Sequence, residues 1–561
     1  MTILRVDMSE KKVTSETFAN DKILGGRAMV DYLMTNYGSP TAHPLSEESL
    51  FVVAPGLLAG SSAPQSGRLS VGGKSPLTGG IKEANIGGTA AHKLGRLGIR
   101  GIMVKGKSTG WHILVADSKG ARLQEAGDII GKMNYTACDS LRKRYGDKVS
   151  IIIIGPAGEM NLANSTVAVT DPDGKPSRHG ARGGLGAVMA SKGLKAIVIR
   201  GEGGTSRKAV DGEGFKVAAK ALTEAIQGGP FTEALRTMGT AIFVDADNDR
   251  GSLPTNNHRL GAFDKSQSIN ANKFLELVKD RGGSMGHGCM PGCVVRCSSL
   301  FHGPSKEFVT AALEYETIGM LGSNLGIDDL DAIARMDRKC DELGIDTIEL
   351  GCTIGVLNDA GLFEFGDAAR AEGLIEEIAK GTPMGRIVGS GVVATAKVFG
   401  IERIPAVKGL GIPAHAARSS KGWAVTYATS PQGADHTAGA VMEEPLSAEG
   451  QGERSRLSQI GMAALDATGI CLFTFLGPTP EIIVPAVNAL YGVNWTVEDY
   501  LEMGKEMLRQ ERAFNAKAGI GPGADRIPDW MRTEPLAPTN AVFDVPQEDI
   551  DGVFNFSAGV G

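Results

Sequence analysis

A chain of 561 residues, 42% of them hydrophobic, can bury several cores, which excludes a disordered protein and sets about three or four domains by length alone. The net charge of −6, with acidic and basic residues interspersed, offers no basic field, so neither nucleic acid nor an anionic membrane surface is expected as a partner. Glycine is in excess at 77 residues without the period of collagen, which points to tight turns and to a backbone that approaches a large ligand at many points.

The first residues carry no charged segment followed by an apolar one, and no apolar run is long enough for a bilayer, so no membrane insertion and a cytoplasmic location are expected. Residues 1–203 set short apolar runs at 3–8, 51–53, 102–104, 112–116, 149–154 and 196–199 between Gly, Pro, Asp and Ser. That texture predicts a β-rich domain with few helices, after Gly25, after Gly87 and over 135–145. A Gly/Ser stretch at 201–206 marks a boundary, beyond which helical periodicity takes over at 210–225, 272–278, 328–343 and 368–380. A second boundary near Ile404-Pro405 divides the rest into helical domains 204–404 and 405–561, for an α+β fold class overall. No internal repeat is read.

Three glycine loops lie in the first domain. Gly67-Arg68-Leu69-Ser70-Val71-Gly72-Gly73-Lys74-Ser75 is one residue too long for a P-loop, and Gly180-Ala181-Arg182-Gly183-Gly184-Leu185-Gly186 follows a polar turn where a dinucleotide loop follows a strand. Both still place backbone N–H groups beside an arginine, Arg68 or Arg182, which suits phosphate. Gly87 and Gly88 open a helix whose N-terminus favours negative charge. Any one of these is ordinarily a turn; three in one domain argue for an anionic cofactor.

Cys289, Cys293 and Cys297 fall within nine residues on a Gly/Pro loop that can turn three thiolates toward one metal centre. Cys471 is the best fourth ligand, since Cys138, Cys340 and Cys352 sit in segments that read as ordinary elements. Four thiolates suit a structural zinc or an iron–sulfur cluster, and three clustered thiols plus a distant one is the commoner [4Fe–4S] pattern. An odd cysteine count fits a reducing compartment. Glu314-Tyr315-Glu316 and the loop bearing His436 supply acid–base groups for work near neutral pH, while His287 flanks the cysteines.

Taken together, Ala54-Pro55-Gly56, Ser66-Gly67-Arg68, Lys74 to Gly79, Asn85-Ile86-Gly87-Gly88, Arg182 to Met189, Gly344 to Ile348 and Asp466 to Cys471 resemble the aldehyde:ferredoxin oxidoreductase family, in order and over nearly the whole chain. The resemblance implies a tungsten or molybdenum ion held by two molybdopterins, one [4Fe–4S] cluster, and a magnesium ion bridging the pterin phosphates. In the family a β-structured domain is the base for the pterins and two helical domains close over it. Carried over by residue, Arg68 and Arg182 match positions near the phosphates, with Gly183 and Gly184 beside Arg182, and the Asn85 carbonyl, with Gly87 and Gly88 in its loop, matches a magnesium ligand. Asp346 with Thr347, and Asp466 with Gly469, match the two pterin motifs. Cys289, Cys293, Cys297 and Cys471 match the cluster ligands. His436 and Glu314, with Glu316 as the alternative to the latter, match the proton-transfer residues. The implied activity oxidises an aldehyde to its acid with water as the oxygen source, electrons leaving singly to ferredoxin or a small multi-cluster ferredoxin-like subunit; a homodimer is a further expectation. Two alternatives stand beside it: a reductive tungsten enzyme acting on an activated acid or thioester, and a cluster-carrying electron-transfer subunit.

Overall fold

The computed structural model describes residues 1–18, 23–474 and 479–557. Strands β1 (Thr2–Asp7), β2 (Lys12–Thr17), β3 (Phe51–Pro55), β4 (Leu69–Lys74), β5 (Ile81–Ile86) and β6 (Ile99–Lys105) form a six-stranded sheet in the order β2-β1-β6-β3-β4-β5. Strands β7 (His112–Asp117), β8 (Gly120–Glu125), β9 (Ser150–Ile153), β10 (Val167–Val169), β11 (Arg178–Gly180) and β12 (Leu194–Ile199) form a second, β8-β7-β12-β9-β10-β11 when read from its β8 edge. The two orders are identical once six is added to each strand number. Pair by pair the sense matches too: β1–β6 and β7–β12 are parallel, and the other pairs antiparallel. The domain is therefore a duplicated unit. The sequence reading found no repeat because the duplication survives in topology rather than in residue identity.

One face of each sheet shares a core containing Leu4, Phe51, Val71, Leu114, Ile152 and Ile197. The outer faces are covered by helices Gly26–Tyr37, through Met29 and Leu33, and Asn134–Tyr145, through Ala137 and Leu141. Covered on both sides, inner strands such as β3 (FVVAP) and β12 (LKAIVI) are buried at every position and read as unbroken apolar runs. Helices begin after Gly25 and Thr89 and over Asn134–Tyr145, where they were expected; Pro156–Glu159 and Leu185–Ser191 are additional. One of the three glycine loops is not a loop. Residues 69–74 are strand β4, with ladders to β3 and β5, so its N–H groups are committed to the sheet. Its Gly72 lies under the Gly26–Tyr37 helix, where a Cβ would fall 2.1 Å from Val30 Cγ1.

Beyond the sheets the chain is mostly helical. Strands β13 (Ser284–His287), β14 (Ser298–His302) and β15 (Phe308–Ala311) form a small sheet whose first connection carries the cysteine loop. Helices Leu330–Leu343, Thr347–Asp359 and Ala368–Lys380 share one core, and Lys421–Thr429, Gln451–Thr468 and Val497–Lys517 another. Helix Gly212–Gln227 packs on Pro480–Tyr491 through Phe215, Leu222, Ile483 and Val487. No described helix is long and apolar enough to cross a membrane.

Two helix ends join these layers to the sheets. Leu330–Leu343 and Gln451–Thr468 both stop at a left-handed glycine, Gly344 (φ 72°) and Gly469 (φ 80°). Both carry one pattern there: Asp341-Glu342-Leu343-Gly344-Ile345-Asp346 and Asp466-Ala467-Thr468-Gly469-Ile470-Cys471. Each end docks on the corresponding loop of one sheet unit by the same two backbone bonds. Thr166 N donates to Gly344 O (2.9 Å) and Asp346 N to Asn164 O (3.2 Å); Arg68 N donates to Gly469 O (3.0 Å) and Cys471 N to Gln65 O (3.1 Å). Gly155 and Gly56 admit them, since a Cβ on either would lie 2.1 Å from Leu343 O or 2.2 Å from Gly469 Cα. Gly56→Ala is expected to lower stability by ~1–3 kcal/mol through this overpacking, against less than about 0.5 kcal/mol for Gly212→Ala in open space; denaturant midpoints of the two variants provide the check.

Candidate active site

The loop between β13 and β14 turns Cys289, Cys293 and Cys297 toward Cys471, and all seven cysteines of the chain are free thiols. Cys289, Met290 and Cys471 form one buried cluster against which Cys293 and Phe473 pack. Gln65, 1% exposed and left-handed at φ 58°, stitches the two cysteine segments together. Its N–H donates to Gly292 O (2.9 Å), its carbonyl accepts from Cys471 N (3.1 Å), and its Oε1 accepts from Val294 N (2.6 Å). The Gln65 side chain is also hydrogen-bonded to Cys471, and with Arg68 it opposes the burial that raises this thiol. The hydrogen bond from Cys293 lowers Cys289 to about 6 against its burial, with Arg178 and Arg68 adding to the effect, and the same bond pushes Cys293 up. Burial works against the charge of Arg68, but Cys471 and Cys289 outweigh it and raise the guanidinium. Gly87 makes this proximity possible: a Cβ there would lie 3.2 Å from both Arg68 Nη1 and Cys289 Sγ.

A cavity of about 320 Å³ opens beside the thiols, with Cys289, Cys297 and Cys471 in its lining. One wall is polar, with Asn85, Arg178, His179, Asp341 and Thr347; the other is apolar, with Phe243, Trp423, Met442, Met462 and Leu472. Two corners of the polar wall are equivalent in the duplicated sheets, because Ser70 pairs with Asn85 as Ala168 pairs with His179. Arg68 Nε donates to Asn85 Oδ1 (2.5 Å) at one, and Thr166 Oγ1 meets His179 Nδ1 (2.7 Å) at the other. His179 Nε2 lies 3.0 Å from Asp341 Oδ1. Asn85 Nδ2, Arg178 Nε and Asp341 Oδ2 are buried without a hydrogen-bond partner among the described residues. Polar atoms left unpaired in a buried wall call for a polar occupant. The sequence reading named neither Arg178, His179 nor Asp341; the repeated Asp-x-x-Gly-Ile pattern was the signal for Asp341.

Other site residues act from outside the lining. Asp346 caps helix Thr347–Asp359, accepting from Ile348 N (3.0 Å) and Glu349 N (3.2 Å), and Arg182 Nε lies 3.6 Å from it. The Arg182 fork donates to the carbonyls of Ala434 (2.5 Å) and Gly411. Asp466 pairs with Arg27 (3.4 Å), which also holds Glu511 at 2.8 Å, while Gly469 shapes the loop that follows. Gly88, Gly183 and Gly184 all have positive φ, and a Cβ on each would strike Val169, Lys82 or the Ala163 carbonyl within 2.6 Å. The packing role of these glycines is thus direct. Lys82, 1% exposed, binds Gln432 Oε1 (2.8 Å) and Asp435 Oδ2 (2.6 Å), fixing the loop that presents His436.

Acid–base groups meet at the far side of the cavity. Glu316 Oε1 lies 3.3 Å from His436 Nε2, and its Oε2 accepts from Ala414 N (2.9 Å). Glu314 lines the same cavity nearer the thiols, where it accepts from Thr240 Oγ1 (2.5 Å) and lies 3.9 Å from Arg178. The two glutamates flank Tyr315 where helix Tyr315–Leu321 begins, so they leave the backbone in different directions. His415, 168 residues from its partner Asp247, was not legible in the sequence and completes the group. Burial lowers His436, opposed by Glu316 and Asp435 and assisted by His415 and Arg182. Cys352 is buried in its helix with its thiol toward Ile412 O (3.3 Å).

Three free thiols and a glutamate–histidine pair line one cavity, with Cys293 packed behind the thiols, an arrangement that fits a metal-dependent oxidoreductase. Residues 3–201 match the family model "Aldehyde ferredoxin oxidoreductase, N-terminal domain" and residues 217–551 match "Aldehyde ferredoxin oxidoreductase, domains 2 & 3"; the chain belongs to the aldehyde ferredoxin oxidoreductase family. It is 32% identical to a tungsten-containing aldehyde ferredoxin oxidoreductase of Pyrococcus furiosus, over 95% of this chain and 91% of the relative. It is 27% identical to the WOR-like subunit of an aliphatic sulfonate oxidoreductase of the same organism, over 91% of this chain and 85% of that one. The fold matches the active-site complex BamBC of benzoyl-coenzyme A reductase in complex with 1,5-dienoyl-CoA, at a TM-score of 0.82 and 17% identity over 99% of this chain and 93% of the other.

The Lys82–Asp435 pair gives a pH-dependent prediction. Lys82 and Arg182 hold Asp435 far below the usual carboxylate range despite its burial. A depressed carboxylate contributes stability above its unfolded value of about 3.9 and loses it as pH falls toward the folded value. Lys82→Met should therefore cost ~1–3 kcal/mol at pH 7, since Asp435 keeps Arg182 but loses its hydrogen-bonded partner. Urea titrations should show the gap to wild type narrowing as pH falls and Asp435 of the variant takes up a proton.

Proposed function

We propose that this protein is a tungsten-dependent oxidoreductase that converts an aldehyde to its carboxylic acid with water as the oxygen source. The observation that carries this reading is the Glu316–His436 pair, 3.3 Å apart, in the cavity that the thiols line. The relatives named as tungsten-containing aldehyde ferredoxin oxidoreductases support it.

The residues present fit the groups this chemistry needs. Cys289, Cys293, Cys297 and Cys471 would hold a [4Fe–4S] cluster, with Arg68 and Arg178 offsetting the charge of its thiolates. The unpaired atoms of Asn85, Arg178 and Asp341 suit the polar edges of two molybdopterins. Asn85 O accepts one bond, from Arg68 Nη2 at 3.3 Å, and keeps a lone pair for a magnesium ion at the phosphates. Bound tungsten or molybdenum bis-molybdopterin supplies the two-electron acceptor.

The chain's own work is positioning and proton transfer. Oxidation of RCHO with water gives RCOOH, two protons and two electrons. Glu316 and His436 stand where a proton from the attacking water can be taken, His436 Nε2 facing Glu316 Oε1. Trp423, Phe243 and Met442 offer an apolar wall to the R group and exclude bulk water. A [4Fe–4S] cluster held by Cys289, Cys293, Cys297 and Cys471 would supply one-electron transfer to ferredoxin or a small multi-cluster ferredoxin-like subunit, in the cytoplasm.

Protein purified without oxygen is expected to contain about one tungsten or molybdenum and about four iron atoms per chain and to reduce a viologen dye with aldehydes. Glu316→Gln should lower kcat at least ~100-fold and Glu314→Gln by less than about tenfold, with metal content unchanged. Metal-replete protein inert toward a panel of aliphatic and aromatic aldehydes, but active in the reverse direction on a thioester, would replace this reading with a reductive one.

A further inference from the structure

Two histidines, not one, point at the same carboxylate oxygen. Glu316 Oε1 is 3.3 Å from His436 Nε2 and 3.6 Å from His415 Nε2, and the two imidazole rings are 5.9 Å apart. Their surroundings differ. His415 is 5% exposed and stacks on Trp423 at 4.0 Å and 12°, which fixes its plane. Its Nδ1 lies 2.6 Å from Asp247 Oδ2, so the Nδ1 proton is held by a carboxylate while Nε2 is directed at Glu316. Asp247 is itself 2% exposed, and the Tyr315 hydroxyl lies 2.5 Å from its Oδ2. His436 has no such partner: its Nδ1 is buried without a hydrogen bond among the described residues, and Asp435 Oδ1 is 4.0 Å away.

We propose that Asp247 and His415 form a permanent ion pair that serves the reaction from the side, its imidazolium end, the end next to His436, keeping that neighbour in the neutral, proton-accepting form. This rests on the proton-transfer role given to His436 above. His415 is then a positioning residue: it keeps both of its protons throughout, and the proton taken from the substrate water goes to the Glu316–His436 pair.

The groups around each ring agree with this division. Burial opposes the charged form of His415, but Asp247, by charge and hydrogen bond, and Glu316 outweigh it and raise this imidazole, with Arg250 opposing them. From the other elements Tyr315 and Tyr427 face His415, and burial pushes both phenols well up, so they stay neutral. Around His436, burial lowers the imidazole and the charges of His415 and Arg182 add to the lowering, against Glu316 and Asp435. The surroundings thus drive the two rings in opposite directions, His415 toward its charged form and His436 toward its neutral form. Two titratable groups driven apart by their environments are the usual mark of divided acid–base roles.

The test compares wild-type holoenzyme with His415→Gln and Asp247→Asn. Removing the charge at 5.9 Å lets His436 hold its proton to higher pH, so the acidic limb of the kcat profile should move up by ~0.5–2 pH units in both variants. Asp247→Asn keeps the stack on Trp423, so a purely structural role for His415 predicts reduced kcat with the limb unmoved, which would overturn the proposal. A second arm needs no turnover: in protein labelled at histidine Cε1, the resonance lost in His415→Gln should report a charged ring at pH 6.5, and a neutral ring there in Asp247→Asn. A neutral His415 in wild type at that pH also overturns it. Absence of aldehyde oxidation in wild type would fault the proposed reaction, while the labelling arm would still decide the ion pair.

Discussion

The structure depends on two places where backbone meets backbone with no side chain between. At Gly56 against Gly469 and at Gly155 against Leu343-Gly344, a helix end from the upper layers rests on a loop of the sheets closely enough that a single methyl would prevent it. Each contact is closed by a pair of backbone hydrogen bonds of 2.9–3.2 Å, which set the height of each helix end above its sheet to within a fraction of an ångström. These ends carry Asp341 and Asp346 on one side and Asp466 and Cys471 on the other.

Buried charge does the remaining fastening. Arg27 links the first helix to Asp466 and Glu511, and Lys82 links strand β5 to Gln432 and Asp435; the chain separations are 350 to 484 residues. Such pairs are costly to desolvate and are weak evidence of net stability, but each is geometrically demanding. Here they fix the orientation of the loops that present Asp466 and His436. The glycine excess has the same explanation. Gly72, Gly183 and Gly184 are small because neighbouring chain passes within a Cβ's reach, so the glycines shape the site more by letting protein approach protein than by exposing N–H groups.

The α+β class, six inner strands of the first domain (β1, β3, β6, β7, β9 and β12) and the clustering of the thiols were legible in the sequence, for physical reasons that differ. Doubly covered strands must be apolar at every position, and three cysteines in nine residues leave few alternatives to a common centre. Glu316 was not separable from Glu314, because two residues at a helix start differ in direction only once the helix is placed. Gln65, Arg178, His415 and Asp247 were invisible for another reason. Their meaning lies in partners far along the chain, and a lone Gln or His in a loop carries no sign of what will be folded against it. Strand β4 was misread because its glycines, placed for a helix to lie on, imitate a phosphate loop. The duplication was not legible because it survives in strand order rather than in residue identity, and the two helix ends that dock on it share only an Asp, a Gly and an Ile.

That shared pattern differs at its last position. Where one copy ends in Asp346, which turns its carboxylate back to begin another helix, the other ends in Cys471, which joins the thiols. A scaffold built on two like halves thereby acquires a handedness of use: one corner closes the frame and the other opens it. On the proposed function, the side on which electrons would leave is marked by one side chain at the end of a helix.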